Sequence, residues 1–176
     1  VILSIENLVV KDTRKYDAVK SISFDVKAGE IFAVAGVDGN GQKELVEALT
    51  GLTKTVSGKV SLCGKDITGN KPKKVLEAGV GHIPEDRHKR GLILQNTLAE
   101  NLILGYHYCP PFARKGVMNY AKINEHARTL ISEYDVRTPN EYVTAGSLSG
   151  GNQQKAIIAR EFYKDPVLLI ASQPTR

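Results

Sequence analysis

Apolar and polar positions alternate along residues 1–10 and again along residues 19–26. A period of two marks strands with one buried face, and the polar stretch at 11–17 joins them as antiparallel neighbours. Alternation then gives way to an unbroken apolar run, Ile31-Phe32-Ala33-Val34-Ala35, which predicts a parallel strand buried on both faces. Leu45, Val46, Ala48 and Leu49 follow at helical spacing and stop at Gly51, a residue suited to ending a helix. Further on, residues 58–64 predict a short edge-type strand, 73–78 a helix, and 80–84 a strand ended by Pro84. Thr97-Leu98-Ala99-Glu100 has the spacing of a capping box and opens a short helix to about Leu104. Cys109-Pro110-Pro111 breaks the chain before an amphipathic helix at 121–134. A helix at 156–164 and an apolar strand, Val167-Leu168-Leu169-Ile170-Ala171, complete an α/β pattern with a mostly helical insert at 85–147.

The loop between the first apolar run and its helix reads Gly36-Val37-Asp38-Gly39-Asn40-Gly41-Gln42-Lys43-Glu44. Strand, glycine loop, helix is the architecture of a P-loop, in which backbone N–H groups and a helix N-terminus hold phosphates. The pattern G-x-x-x-x-G-K-[ST] places its glycines at Gly36 and Gly41. Gln42 then stands where the phosphate-binding lysine belongs, and Lys43 where the magnesium-binding hydroxyl belongs. Moving the frame to use Lys43 fails, because Val37 and Gln42 would have to be glycines. The plainer alternative is a glycine-rich turn that packs a helix on a sheet and binds nothing.

The 176 residues, 41% of them hydrophobic, suffice for one filled core and a small second lobe. Cys63 and Cys109 lie far apart without metal-ligand spacing and read as reduced, intracellular and structural. No stretch approaches the roughly 18 apolar residues of a membrane span. Net charge is +5, and basic clusters stand at 71–74 and 87–90. With no stacking aromatics or DNA-reading motif beside them, they read as solvated loops of a soluble, cytoplasmic domain that binds no nucleic acid.

A second anchor is Leu148-Ser149-Gly150-Gly151-Asn152-Gln153-Gln154-Lys155. Ser149 is placed as an N-cap, and the glycines behind it let a ligand approach the backbone of a helix start that favours anions. An ordinary capped helix is the alternative. P-loop, helical insert, Leu-Ser-Gly-Gly and apolar strand, in that order, resemble an ATP-binding cassette (ABC) domain. The segment Gly81-His82-Ile83-Pro84-Glu85-Asp86-Arg87-His88-Lys89-Arg90-Gly91-Leu92 is similar to the second, C-terminal cassette of the tandem-domain subunits that drive ribose-type and nucleoside-type importers. Residues 36–45, 135–139 and 148–160 resemble the nucleoside branch most.

The resemblance implies an ABC-type P-loop NTPase fold, truncated at its C-terminal end. Residues 1–84 and 148–176 would form an α/β core of mostly parallel buried sheet with an antiparallel edge, and residues 85–147 a helical subdomain. It also implies a nucleotide site at Gly36, Asp38, Gly39, Asn40, Gly41, Gln42, Lys43, Glu44 and Glu85. Tyr16 is the candidate for stacking on adenine, with a core or surface tyrosine as the alternative. Ser172 and Gln173 stand where the family carries two acids, and Glu85 where it carries a metal- and water-contacting glutamine. Gln42 lacks the charge of a lysine, Lys43 repels Mg²⁺, and Gln173 cannot act as a general base, a role worth about 10²–10⁴-fold. The domain's own site therefore holds no catalytic residue and no metal, and binds ATP weakly. An alternative has the Lys43 ammonium taking the magnesium position.

The signature, by contrast, is complete. Leu148, Ser149, Gly150, Gly151, Asn152 and Gln153 would complete a competent ATP site, with its Mg²⁺, on the preceding domain of the same subunit. The implied partners are that domain, a transmembrane permease contacted through residues 85–90 and the helical insert, and indirectly a solute-binding protein. The implied place is the cytoplasmic face of the cell membrane, and the cargo a nucleoside or simple sugar. The alternatives are a cassette of a soluble protein acting on nucleic acid or ribosomes, and an active stand-alone ATPase.

Overall fold

The computed structural model describes residues 1–37 and 39–173. They fall into two compact units. The first holds residues 1–80 with 167–170, the second residues 81–166 with the stretch from Ala171.

In the first unit, β1 (Leu3–Lys11) and β2 (Asp17–Val26) are antiparallel, as their alternation predicts. Leu3, Ile5, Leu8 and Val10 of β1 are all buried. β3 (Thr55–Leu62) pairs with the other side of β1, and the two-residue β4 (Lys65–Asp66) pairs with β3. The four strands thus run β2-β1-β3-β4. The strand expected at an edge, residues 58–64, is therefore interior and begins earlier. Gly58 lets it cross β1, since a Cβ there would come within 2.5 Å of the Asn7 carbonyl oxygen. Two helices belong to this unit: α1 (Gln42–Leu49), which buries Leu45, Ala48 and Leu49, and α2 (Pro72–Glu77), which buries Val75.

Two further strands, β5 (Val80–Ile83) and, near the C-terminus, β8 (Leu168–Ala171), form a two-stranded sheet. The N–H groups of Val167 and Leu168 donate to Gly79 O within the first unit. Ser172 N–H donates to Ile83 O within the second, so the pair is parallel.

The apolar run at 31–35 departs from expectation. It carries no strand, all five residues are exposed, and Ile31 is 96% accessible. A strand is buried on both faces only where neighbours supply a ladder, and among the described residues none pairs with it. Phe32 instead stacks on Phe24 of β2, with ring centroids 4.6 Å apart.

The second unit is built on α3 (Leu98–Leu102), α4 (Tyr120–Glu133) and α5 (Gly150–Tyr163), with a minimal hairpin of β6 (Ala113–Arg114) and β7 (Val117–Met118). Leu98, Leu102, Ile123, Leu130 and Ala156 share one buried cluster. The capping box is present: Thr97 Oγ1 accepts from Glu100 N–H, and Glu100 Oε2 accepts from Thr97 N–H. Asn101, 1% exposed, pins the entry to α3. Its Oδ1 accepts from Ile93 N–H, and its Nδ2 donates to the carbonyls of Ile93, Asn96 and Thr97.

Candidate nucleotide-binding site

The glycine loop ahead of α1 lies in the first unit without the strand expected before it, and the shape of its described residues follows from its glycines. Gly39 and Gly41 take φ of +87° and +94°, a region closed to most side chains. Gly41 is the N-cap of α1, and a Cβ on it would lie 2.3 Å from Ala18 O. Asp38 lies outside the described residues.

Gln42 turns back over the loop. A Cβ at Gly36 would meet Gln42 Nε2 at 2.0 Å, so the amide lies against the Gly36 backbone. Gln42 Nε2 donates to Val37 O at 3.4 Å, and Asn40 N–H donates to the same carbonyl at 3.3 Å. Two donors of the loop thus close on the loop itself. Lys43 is exposed and runs along the helix surface, its ammonium 4.0 Å from the Glu47 carboxylate. Glu44 sits in the first turn of α1.

Beside the loop is a cavity of about 750 Å³ between the P-loop and the connection from β1 to β2. Tyr16 is on its rim, 70% exposed, so it is no core tyrosine. Asp12 organises that connection, its Oδ1 accepting from the N–H groups of Arg14 and Tyr16. The Arg14 guanidinium stands 5.8 Å from the Tyr16 ring centroid. Among the described residues lining the cavity, Asp12, Asp17 and Glu44 oppose Arg14 and Lys20, so cations do not prevail there.

At this loop Lys43 presents an ammonium rather than an oxygen ligand, and Gln42 is neutral and turned onto its own backbone.

The Leu-Ser-Gly-Gly stretch lies in the second unit. α5 begins at Gly150, directly after the Ser149 expected as an N-cap and ahead of the stretch at 156–164 that the apolar pattern marks, and Gln153 N–H closes on Ser149 O at 2.9 Å. Ser149 does occupy the N-cap, but its hydroxyl caps no backbone N–H. It accepts instead from Asn152 Nδ2 at 3.0 Å, while Asn152 Oδ1 accepts from Arg137 N–H. The N-cap side chain of α5 therefore makes no hydrogen bond to its first-turn N–H groups. Leu148 is buried, Gly151 has open space where a Cβ would be, and Gln153 is 4% exposed.

Glu85 is exposed in the second unit. Ser172 continues from β8 and Gln173 follows with φ of +47°, both in the second unit. Sequence reasoning missed a buried ionic group behind α5. Arg160 Nε and Lys164 Nζ reach Glu161 Oε1 at 2.8 and 2.9 Å, and His82 N–H donates to Glu161 Oε2. Glu161 and Lys164 stand at i,i+3 and Arg160 and Lys164 at i,i+4, so the three charges share one helical face, and that was the available signal.

Together these features define a class, the ATP-binding domain of ABC transporters, and the chain belongs to the ABC transporter family, which it matches over residues 19–176. More particularly, it is 57% identical over its whole length to the nucleoside import ATP-binding protein NupA of Lactococcus lactis subsp. cremoris, covering 35% of that protein. It is 55% identical over 175 residues to the guanosine import ATP-binding protein NupO of Bacillus subtilis, covering 34% of it. The chain thus spans about a third of these relatives. Among solved structures it resembles a dimeric ATP-binding cassette in a post-hydrolysis state bound to ADP and Pi, with a TM-score of 0.79 and 21% identity over 99% of this chain and 75% of that one. That likeness shows the fold. Among the described residues no helix is long and apolar enough to cross a membrane.

Proposed function

We propose that this chain is the non-catalytic cassette of a tandem ATP-binding subunit, the second of its two, that energises import of a nucleoside or simple sugar. Residues 1–84 and 148–176 serve as its α/β core and 85–147 as its helical subdomain. Its own P-loop binds ATP weakly and without metal. Leu148, Ser149, Gly150, Gly151, Asn152 and Gln153 complete a competent site on the preceding cassette. Its partners are that cassette and transmembrane permeases docked on residues 85–90 and the helical insert, and it works at the cytoplasmic face of the membrane. The nucleoside branch is favoured by the likeness to NupA and NupO.

The observation that carries the reading is the contrast between the two half-sites. At the P-loop, Gln42 and Asn40 turn their donors onto Val37 O. At the signature, the Ser149 side chain leaves the first-turn N–H groups of α5 uncapped, and Gly151 leaves room beside them. A helix start of that kind attracts an anion arriving from outside the domain.

Chemistry at the competent site is phosphoryl transfer, for which magnesium on the partner's P-loop neutralises developing charge. This chain's residues orient the terminal phosphate through backbone N–H groups and exclude water by closing over it. The test is ATP turnover by the full-length subunit in its transport complex. Gly151→Asp opposes like charges across a closed interface, roughly 4 kcal/mol at 4 Å and an effective dielectric of about 20. Turnover falls by about three orders of magnitude if the reading holds. Undiminished turnover in Gly151→Asp would sink it.

A further inference from the structure

The charged turn after β5 lies along one stripe of the signature helix. Four of its contacts fall on Gly150, Gln153, Ile157 and Arg160, at intervals of three, four and three, which is a single helical face. The Arg87 guanidinium abuts Gly150, where a Cβ would stand 2.9 Å from Nη2. His88 Nε2 is 3.0 Å from Gln153 Oε1. Gly91 packs on Ile157 so closely that a Cβ would come within 2.5 Å of Cδ1, and its carbonyl accepts from Arg160 Nη1 at 2.7 Å. Asp86 holds the turn from the other end, accepting from the N–H groups of His88 and Lys89.

The hydrogen bonds fix the direction of the His88 contact. Gln153 Nε2 donates to Ala145 O at 3.1 Å, which orients the buried amide so that Oε1 faces His88. His88 must then carry its proton on Nε2 and donate.

Resting on the signature reading above, we propose that His88 and Arg87 are positioning residues. They latch the Asp86–Gly91 turn to the first two turns of α5, so that turn and signature move as one lever. A displacement of the turn is then passed to the backbone N–H groups of Ser149, Gly150 and Gly151. His88 acts through Gln153, and Arg87 through the Gly150 backbone. Only Gly fits opposite Arg87 without moving the guanidinium.

The experiment compares His88→Leu, Gln153→Leu, their double variant and His88→Gln, measuring kcat and KM for ATP in the full-length subunit within its transport complex. Misplacing a positioned group by about 1 Å is worth about a hundredfold, so each apolar variant should lower kcat on the order of tenfold to a hundredfold. KM, set by the partner P-loop, stays near the parent value. The double variant should be no worse than the worse single, because both break one contact. His88→Gln keeps a donor and recovers most of the loss, which a merely structural role would not require. His88 is exposed, and His88→Asn, polar but too short to reach Gln153, serves as a second probe expected to behave like His88→Leu. Unchanged kcat in His88→Leu and His88→Asn, or additive losses in the double variant, would overturn the latch. Ser149→Arg separates the two claims. If it abolishes turnover while His88→Leu is silent, only the latch fails; if it is harmless, the signature reading fails first.

Discussion

The side-chain amide of Gln42 rests against the backbone of Gly36, at a point where a Cβ would be 2.0 Å from Nε2. The same amide is already bonded to Val37 O, and on the reading proposed above this neutral group stands in place of a phosphate-binding cation.

The 176-residue chain should therefore show no magnesium-dependent ATP turnover. Calorimetry should find weak ATP binding that chelation with EDTA leaves unaltered, because Lys43 repels a metal and points to Glu47. Turnover abolished by Lys43→Ala, or micromolar affinity abolished by chelation, contradicts the account.

Restoring one residue is not enough. Gln42→Lys adds a charge-assisted contact of roughly 1.5–3 kcal/mol, so ATP affinity of the chain should rise. Turnover should not, since Lys43, Ser172 and Gln173 still provide neither metal ligand nor base. In the full-length subunit Gln42→Ala should change turnover little. Should Gln42→Ala prove as damaging as Gly151→Asp, the division between the two half-sites is wrong.

Asn101 should matter more for stability than any residue of either loop. Asn101→Leu keeps size but leaves Ile93 N–H and three carbonyls without their side-chain partner, at about 1–3 kcal/mol for a buried orphaned group. Thr97→Ala, which removes the α3 cap, should cost about 1 kcal/mol. Urea titration checks both. A midpoint in Asn101→Leu equal to that of the parent would contradict the pinning role.

Acid should weaken the second unit in two stages. Burial chiefly pushes His82 below its ordinary 6.5, with Arg90 and Arg160 adding to the effect and Glu161 opposing it. Burial alone would raise Glu161, but the Arg160 and Lys164 charges and hydrogen bonds hold it below its ordinary 4.5. Both folded values are depressed, so each contribution is present above the ordinary value and lost as pH falls through the folded one. Stability should thus begin to decline below about pH 6.5 and fall further below about pH 4.5. Urea midpoints at pH 7, 5 and 4 test this, and His82→Phe should reduce the first stage, to which His126, also held below 6.5 by burial, contributes. A midpoint that rises on acidification rules it out.

Local chemistry was legible in the sequence wherever a few neighbours decide it. The alternation of residues 1–10, the Thr97–Glu100 box and the left-handed Gly39 and Gly41 each fix structure within one turn or one strand, and all stand where their residues indicate. Long-range consequences were not legible. The exposure of Ile31 depends on a ladder partner, and no run of apolar residues announces whether one exists. The contact of His88 with Gln153 joins residues 65 positions apart, one expected in a solvated loop and the other in the signature, and nothing in the local pattern links them. The apolar pattern marks 156–164 and not the start of α5, where Gly150 and Gly151 lower helix propensity. The buried Gln153 overrides that cost by bonding Ala145 O from inside the first turn.

The exposed run from Ile31 to Ala35 also bears on how the chain behaves in a test tube. Five exposed apolar residues with no charge among them, in no ladder among the described residues, form an adhesive stretch of the kind that recruits a second copy. Light scattering should therefore grow with protein concentration, and a single lysine at position 33 should suppress it. The segment that would sit deepest in a filled α/β core is, in this chain, the one most disposed to precipitate it.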